Sequence, residues 1–81
     1  MAQILNLEPT ERKFNKQWKL MRLRKEAGYT QEEMAEILGM SLASYNNKEN
    51  GRKEFWDYEV FKISSLLDKP VEEIFLRQDS N

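Results

Sequence analysis

The chain has 81 residues, with 13 Lys and Arg against 14 Asp and Glu for a net charge of -1, and it contains neither histidine nor cysteine. That length allows one small domain, and the missing cysteines exclude disulfides and thiolate metal sites. Without histidine the commonest metal ligand and the usual general base are absent, and no glycine-rich phosphate loop is present, so no catalytic residue, metal or cofactor is expected and the protein is not read as an enzyme. No apolar run approaches the length of a membrane span, which places the expected site of action in the cytoplasm.

Residues 1–13 hold Ile4, Leu5, Leu7 and Pro9 without a helical period, and read as an N-terminal arm that is ordered only if it docks. The predicted domain covers 14–76, and a polar tail follows over 77–81. A first helix is predicted from Asn15 to Ala27, with Leu20, Leu23 and Ala27 on one stripe and Gly28 just past its end. A second stripe, Phe14, Trp18 and Met21, falls on the opposite side of that helix. One small core cannot bury both stripes. The second is expected either to lie beneath the arm or to face a partner.

Thr30 is suited to cap a second helix, and Glu33 completes the Thr-x-x-Glu pattern of a capping box. Met34, Ala35, Ile37 and Leu38 form its short apolar face before Gly39, and Ser41 is placed to cap a third helix over Leu42 to Glu49 with Tyr45 as its buried anchor. Asp57 is the predicted cap of a fourth helix whose inward face is Val60, Ile63, Ser64 and Leu67. Pro70 opens a fifth, carrying Val71, Ile74 and Phe75. The fold class is therefore all-α, a compact five-helix bundle.

Charge is unevenly spread. Seven basic residues (Arg12, Lys13, Lys16, Lys19, Arg22, Arg24, Lys25) and no acid occupy residues 12–25, whereas acids dominate after Glu54. A face can then meet phosphate while the net charge stays near zero, although such runs are as often simply solvated helix surfaces. Two helix starts so close together, joined through a glycine turn, are the layout of a helix-turn-helix, in which the second helix enters a major groove.

The ordered set Leu23-Arg24, Gly28, Thr30-Gln31-Glu32-Glu33-Met34-Ala35, Leu38-Gly39-Met40-Ser41, Tyr45 and Glu49-Asn50-Gly51 resembles the Cro/C1-type, or Xre-family, helix-turn-helix, a lambda-repressor-like DNA-binding domain. The resemblance runs through Val60-Phe61-Lys62-Ile63 and Val71-Glu72-Glu73-Ile74-Phe75. Tyr45-x-x-Lys48-Glu49-x-Gly51, with Phe55 and Glu59, further resembles small regulators of Gram-positive phages and prophages.

The resemblance implies roles. Leu42, Ala43, Ser44, Asn46 and Asn47 would face base edges. Gln31, Lys48, Arg52 and Lys53 would meet phosphates, and Arg24 with Glu49 would form a structural ion pair. Asn47 suits adenine, whereas Leu42 and Ala43, where many members carry glutamine, can meet only thymine methyls. Most members have an apolar residue at Lys48, so its stem is expected to cover the core while its ammonium reaches solvent or phosphate. The implied function is sequence-specific binding of double-stranded DNA as a homodimeric transcriptional regulator, most simply a repressor of phage or prophage type. Phe14, Trp18, Met21, Trp56 and Phe75 are the candidate dimer or partner surface. The alternative is a protein-binding module of the same fold, an antirepressor or accessory subunit that engages another regulator.

Overall fold

Capping chemistry sets most of the helix boundaries. The computed structural model describes residues 16–75, which form α1 (Trp18–Glu26), α2 (Gln31–Leu38), α3 (Leu42–Glu49), α4 (Asp57–Leu67) and α5 (Val71–Ile74), with no strand among the described residues. The expected all-α architecture with five helices is thus what the described residues form. The predicted arm, Phe14 and the tail over 77–81 lie outside the described residues.

At α2 the capping box forms as read: Thr30 Oγ1 accepts from the Glu33 N–H at 3.0 Å, and Glu33 Oε1 accepts from the Thr30 N–H at 2.9 Å. Ser41 Oγ caps α3 by accepting the Ser44 N–H at 3.0 Å. Two boundaries differ from expectation. Helix α1 starts at Trp18, because the Gln17 N–H is bonded across to the Glu49 carbonyl at 3.0 Å and its ψ of 74° is not helical. Helix α4 has Trp56, not Asp57, at its cap position. Trp56 offers no side-chain acceptor, and the end is closed instead by Glu59, whose Oε1 accepts the Trp56 N–H at 2.8 Å.

The C-terminal ends share one device. After α1, α2, α3 and α4 the chain turns through a left-handed residue, Gly28, Gly39, Gly51 or Asp68. Each time the next N–H reaches back to the carbonyl five residues earlier: Tyr29 to Arg24, Met40 to Ala35, Arg52 to Asn47 and Lys69 to Ser64. Repeating this Schellman closure ends four helices sharply and satisfies their last carbonyls.

The core is assembled from Leu20 and Leu23 of α1, Met34, Ala35 and Leu38 of α2, Tyr45 of α3, Ile63 of α4 and Ile74 of α5. Helix α2 packs mainly on α3, and α5 closes the bundle against α1 and α4. From α3 the aromatic ring of Tyr45 enters the core and meets Phe55 edge-on at 5.9 Å; Phe55 in turn meets Phe75 at 5.4 Å. On the other side of α1, Trp18 is 60% exposed and Met21 half-buried, so the second stripe faces away from this core. No helix among the described residues is long and apolar enough to cross a membrane.

Gly39 has φ of 74°, and a Cβ added there meets nothing within 4 Å, so the cost of substitution is one of backbone conformation alone. Gly39→Ala is expected to lose about 1–2 kcal/mol, seen as a lower Tm in thermal unfolding. Gly39→Asn should lose distinctly less, because Asn tolerates the left-handed region. Equal losses for Ala and Asn would show that the turn conformation is not what the glycine supplies.

Candidate nucleic-acid interface

The approach of α3 to the body is governed by one carboxylate. Glu49, at the last turn of α3, has no exposed surface, yet its two oxygens receive four donors from three helices. Arg24 of α1 gives Nε to Oε2 at 2.7 Å and Nη2 to Oε1 at 3.2 Å. Gln31 of α2 gives Nε2 to Oε1 at 2.7 Å, and Tyr45 gives its hydroxyl to Oε2 at 2.8 Å. Arg24 Nη1 also donates to the Tyr29 carbonyl at 2.9 Å, so the guanidinium braces the turn between α1 and α2. Burial works against the Arg24 charge, but the Glu49 hydrogen bonds and charge outweigh it and raise its pKa. The Tyr45 phenol is pushed well above the usual tyrosine range, by burial first and then by the adjacent Glu49 charge.

Gln31 is engaged at both ends of its amide, for its Oε1 accepts from Asn46 Nδ2 at 3.1 Å. The second Nε2 hydrogen has no acceptor among the described residues. Asn46 therefore departs from expectation: its side chain bridges α3 to α2 rather than standing among the base-facing groups, and it is half-buried there.

Lys48 departs further. It is 8% exposed, and its ammonium donates to Glu59 Oε1 at 2.7 Å and lies 5.1 Å from the centroid of the Trp56 ring. A phosphate contact by Lys48 is corrected accordingly. Its charge is held inside by Glu59, a residue that is 3% exposed and that also receives the Trp56 N–H. The capping role of Glu59 carried no clear sequence signal, because Trp56 is not the Ser or Thr that marks a capping box. Its pairing with Lys48 was hidden too, because nothing in the local sequence turns the lysine inward.

With these contacts made, the outward side of α3 carries Leu42 (46% exposed), exposed Ala43, and half-buried Ser44 and Asn47. Among the described residues no hydrogen bond engages the Asn47 side chain, so its amide is open to a ligand. Arg52 and Lys53 are exposed just beyond α3 and border an open cleft of about 540 Å³ whose other walls include Ser44, Lys48, Glu54 and Trp56. The structure thus brings Gln31, Ser44, Asn47, Arg52 and Lys53 around α3. Of the proposed partner surface, Phe75 is half-buried against Phe55 and turned to the core, which withdraws it. Trp56 is 63% exposed and is joined by Tyr58 (53%) and Phe61 (64%). Phe14 lies outside the described residues.

A helix of this kind, pinned along one side and bare along the other, directly after a capped helix and a glycine turn, is a helix-turn-helix by geometry. The helix-turn-helix family model matches residues 20–74, which is most of the chain. The protein belongs to the Cro/C1-type helix-turn-helix family. Its structure is also similar to the crystal structure of the restriction-modification controller protein C.AhdI from Aeromonas hydrophila, with a TM-score of 0.61 and 26% identity over 70% of this chain and 83% of that one. A comparison with curated proteins finds no match. Family and fold together make this helix-turn-helix protein a DNA-binding regulator.

Removing the Arg24 side chain strands the Glu49 carboxylate in the interior. Arg24→Ala should therefore lose roughly 3–5 kcal/mol of stability, with a smaller change in any DNA affinity counted per folded molecule; unchanged thermal unfolding would refute it. The helix-turn-helix fold should also weaken in alkali. A folded-state phenol pKa above the unfolded value of 10.0 leaves stability untouched at neutral pH and removes it as pH rises past 10.0 toward the folded value. Chemical denaturation from pH 8 to 11 should show wild type losing its advantage over Tyr45→Phe above about pH 10. A difference that stays constant would mean that Tyr45 ionises as freely in the folded chain as in the unfolded one.

Proposed function

We propose that the protein is a sequence-specific double-stranded DNA-binding transcriptional repressor that acts as a homodimer with α3 in the major groove. The observation that carries this reading is the division of α3 into a pinned side and a free one: Tyr45, Lys48 and Glu49 are buried, while Leu42, Ala43 and Asn47 face outward. Asn47 is the group suited to a bidentate contact with adenine, and Leu42 and Ala43 suit thymine methyls. The remaining Gln31 N–H and the cations of Arg52 and Lys53 flank α3 on the two sides where phosphate backbones run. Glu54 beside the cleft and Glu32 and Glu33 on the first turn of α2 oppose phosphate, so binding depends on the placement of a few cations rather than on bulk charge.

A single recognition helix covers only a few base pairs, and two-fold pairing is the usual solution. Trp56, Tyr58 and Phe61 are the surface proposed for it. They are large, exposed and close together, with the Trp56 and Tyr58 rings 6.0 Å apart, and Trp56 stands beside the last turn of α3. Pairing there would bring two copies of α3 onto one side of the dimer. Repression is the output that asks least of such a molecule, since occupancy of a promoter excludes polymerase without further contacts. The controller function named for C.AhdI favours a regulator, and the Tyr45-x-x-Lys48-Glu49-x-Gly51 pattern favours a phage or prophage setting.

Selection from a random duplex pool, followed by fluorescence anisotropy at two salt concentrations, tests the reading. A two-fold symmetric site should be enriched and bound ~10³-fold or more tighter than random duplex. Asn47→Ala should relax discrimination at one base pair per half-site. Arg52→Ala and Lys53→Ala should weaken all duplexes alike and reduce the slope of log K against log salt by about 0.9 for each phosphate no longer neutralised. Absence of enrichment together with a flat salt dependence would exclude DNA reading and favour a protein partner for the exposed aromatic face.

A further inference from the structure

Lys48 and Glu49 are neighbours in α3, so their side chains leave the helix about 100° apart around its axis. Each is fixed at its tip by a different part of the body. Glu49 is held by Arg24 of α1 and Gln31 of α2, and Lys48 by Glu59 of α4. Glu59 is not a loose partner: the oxygen that receives the Lys48 ammonium at 2.7 Å also receives the Trp56 N–H at 2.8 Å, which locks the carboxylate to the first turn of α4. Glu49 and the Asn46–Gln31 bond both hold α3 from the side of α1 and α2, which leaves its side toward α4 to be restrained separately. A second pin on that side of the helix removes rocking.

Roll about the helix axis is the motion that matters for reading bases. A side-chain tip lies about 5–6 Å from the axis, so a roll of about 20° carries it roughly 2 Å. That is far outside the range over which a hydrogen bond to a base edge survives. Stability does not account for the Lys48–Glu59 pair, because buried ion pairs of this kind are commonly matched or exceeded by apolar pairs of the same volume. The geometry points to Glu59 as a positioning residue: with Lys48 it fixes the roll of α3, and it thereby sets the sequence discrimination of the domain while leaving its general affinity for DNA alone. This inference rests on the DNA-reading function proposed above.

The test is the double variant Lys48→Met with Glu59→Gln. Methionine keeps the apolar stem, and glutamine keeps an oxygen for the Trp56 N–H, so both charges leave together and neither is stranded. Its Tm should stay within about 5 °C of wild type. The ratio of selected-site to random-duplex affinity should fall about tenfold, the scale of one misplaced base contact, with random-duplex affinity and salt slope unchanged. Without any DNA, hydrogen exchange at the α3 amides should quicken at least several-fold relative to the α1 amides. Glu59→Asp, which keeps the charge but shortens the pin, should move both readouts in the same direction and serves if the double variant does not fold. A discrimination ratio equal to wild type in folded variants would overturn the inference. Wild-type protein that selects no duplex would overturn the DNA-reading function and this inference with it, and the two failures are distinguishable because the second is seen before any residue is changed.

Discussion

A carboxylate without exposed surface stands where three helices meet, and the placement of α3 follows from satisfying it. An ionised carboxylate offers about four lone-pair positions, and Glu49 has four donors on them, from Arg24, Gln31 and Tyr45. Its main-chain carbonyl takes a further bond from the Gln17 N–H, which is why α1 begins where it does. The turn between α1 and α2 is braced through the same guanidinium, and Asn46 is drawn toward α2 because Gln31 has already been oriented by Glu49. With so few fully buried apolar side chains, a domain of this size has little dispersion contact with which to resist small rotations of a polar helix. Directional bonds to one buried charge supply that resistance.

Burying charge also changes what the chain offers to DNA. The cationic run over residues 12–25 suggests a broad phosphate-facing surface, but Arg24 within it is neutralised in the interior. Lys48, which belongs to α3 itself, is neutralised likewise. Arg22 lies within 3.9 Å of Glu26, an exposed pair that contributes little. The cations left beside α3 are Arg52 and Lys53. On the function proposed above, a net charge near zero is compatible with phosphate binding because those two stand close to α3, and the same charge would make affinity for nucleic acid in general weak. Such a protein depends on recognition of its site more than a strongly basic one does.

Much of this architecture was legible because it is local. Thr30 with Glu33, Ser41, and the glycines at 28, 39 and 51 announce helix ends through chemistry confined to a few neighbouring residues, and the apolar spacing of Leu20, Leu23, Met34, Leu38 and Tyr45 names the core. What escaped a sequence reading is what depends on contacts between distant residues. Lys48 turns inward because of a glutamate eleven positions later, and Trp56 takes the cap position because that same glutamate is already held. Asn46 looks like a base-reading residue by position, and only the orientation of Gln31 reveals that it is used between helices. Phe75 reads equally well as surface or core until Phe55 is placed beside it. In each case the residue type was informative and the direction in which its side chain points was not.

The outward face of α3 explains why so much of the molecule is devoted to holding it still. Asn47 is the one amide there free of internal hydrogen bonds among the described residues, and Leu42 and Ala43 beside it can add apolar contact but no hydrogen bond. A recognition helix with several amides or guanidinium groups tolerates some rocking, since one misplaced contact leaves others in register. A helix with one amide, one hydroxyl and two apolar groups there has little such reserve: on the proposed function, discrimination would come from the Asn47 contact and from the exclusion of wrong bases by shape, and both fail within an ångström or two. A rigid mount is then a condition for specificity. Two ion pairs on successive residues, directed to different helices, are an economical way to build it in a domain too small to rely on packing.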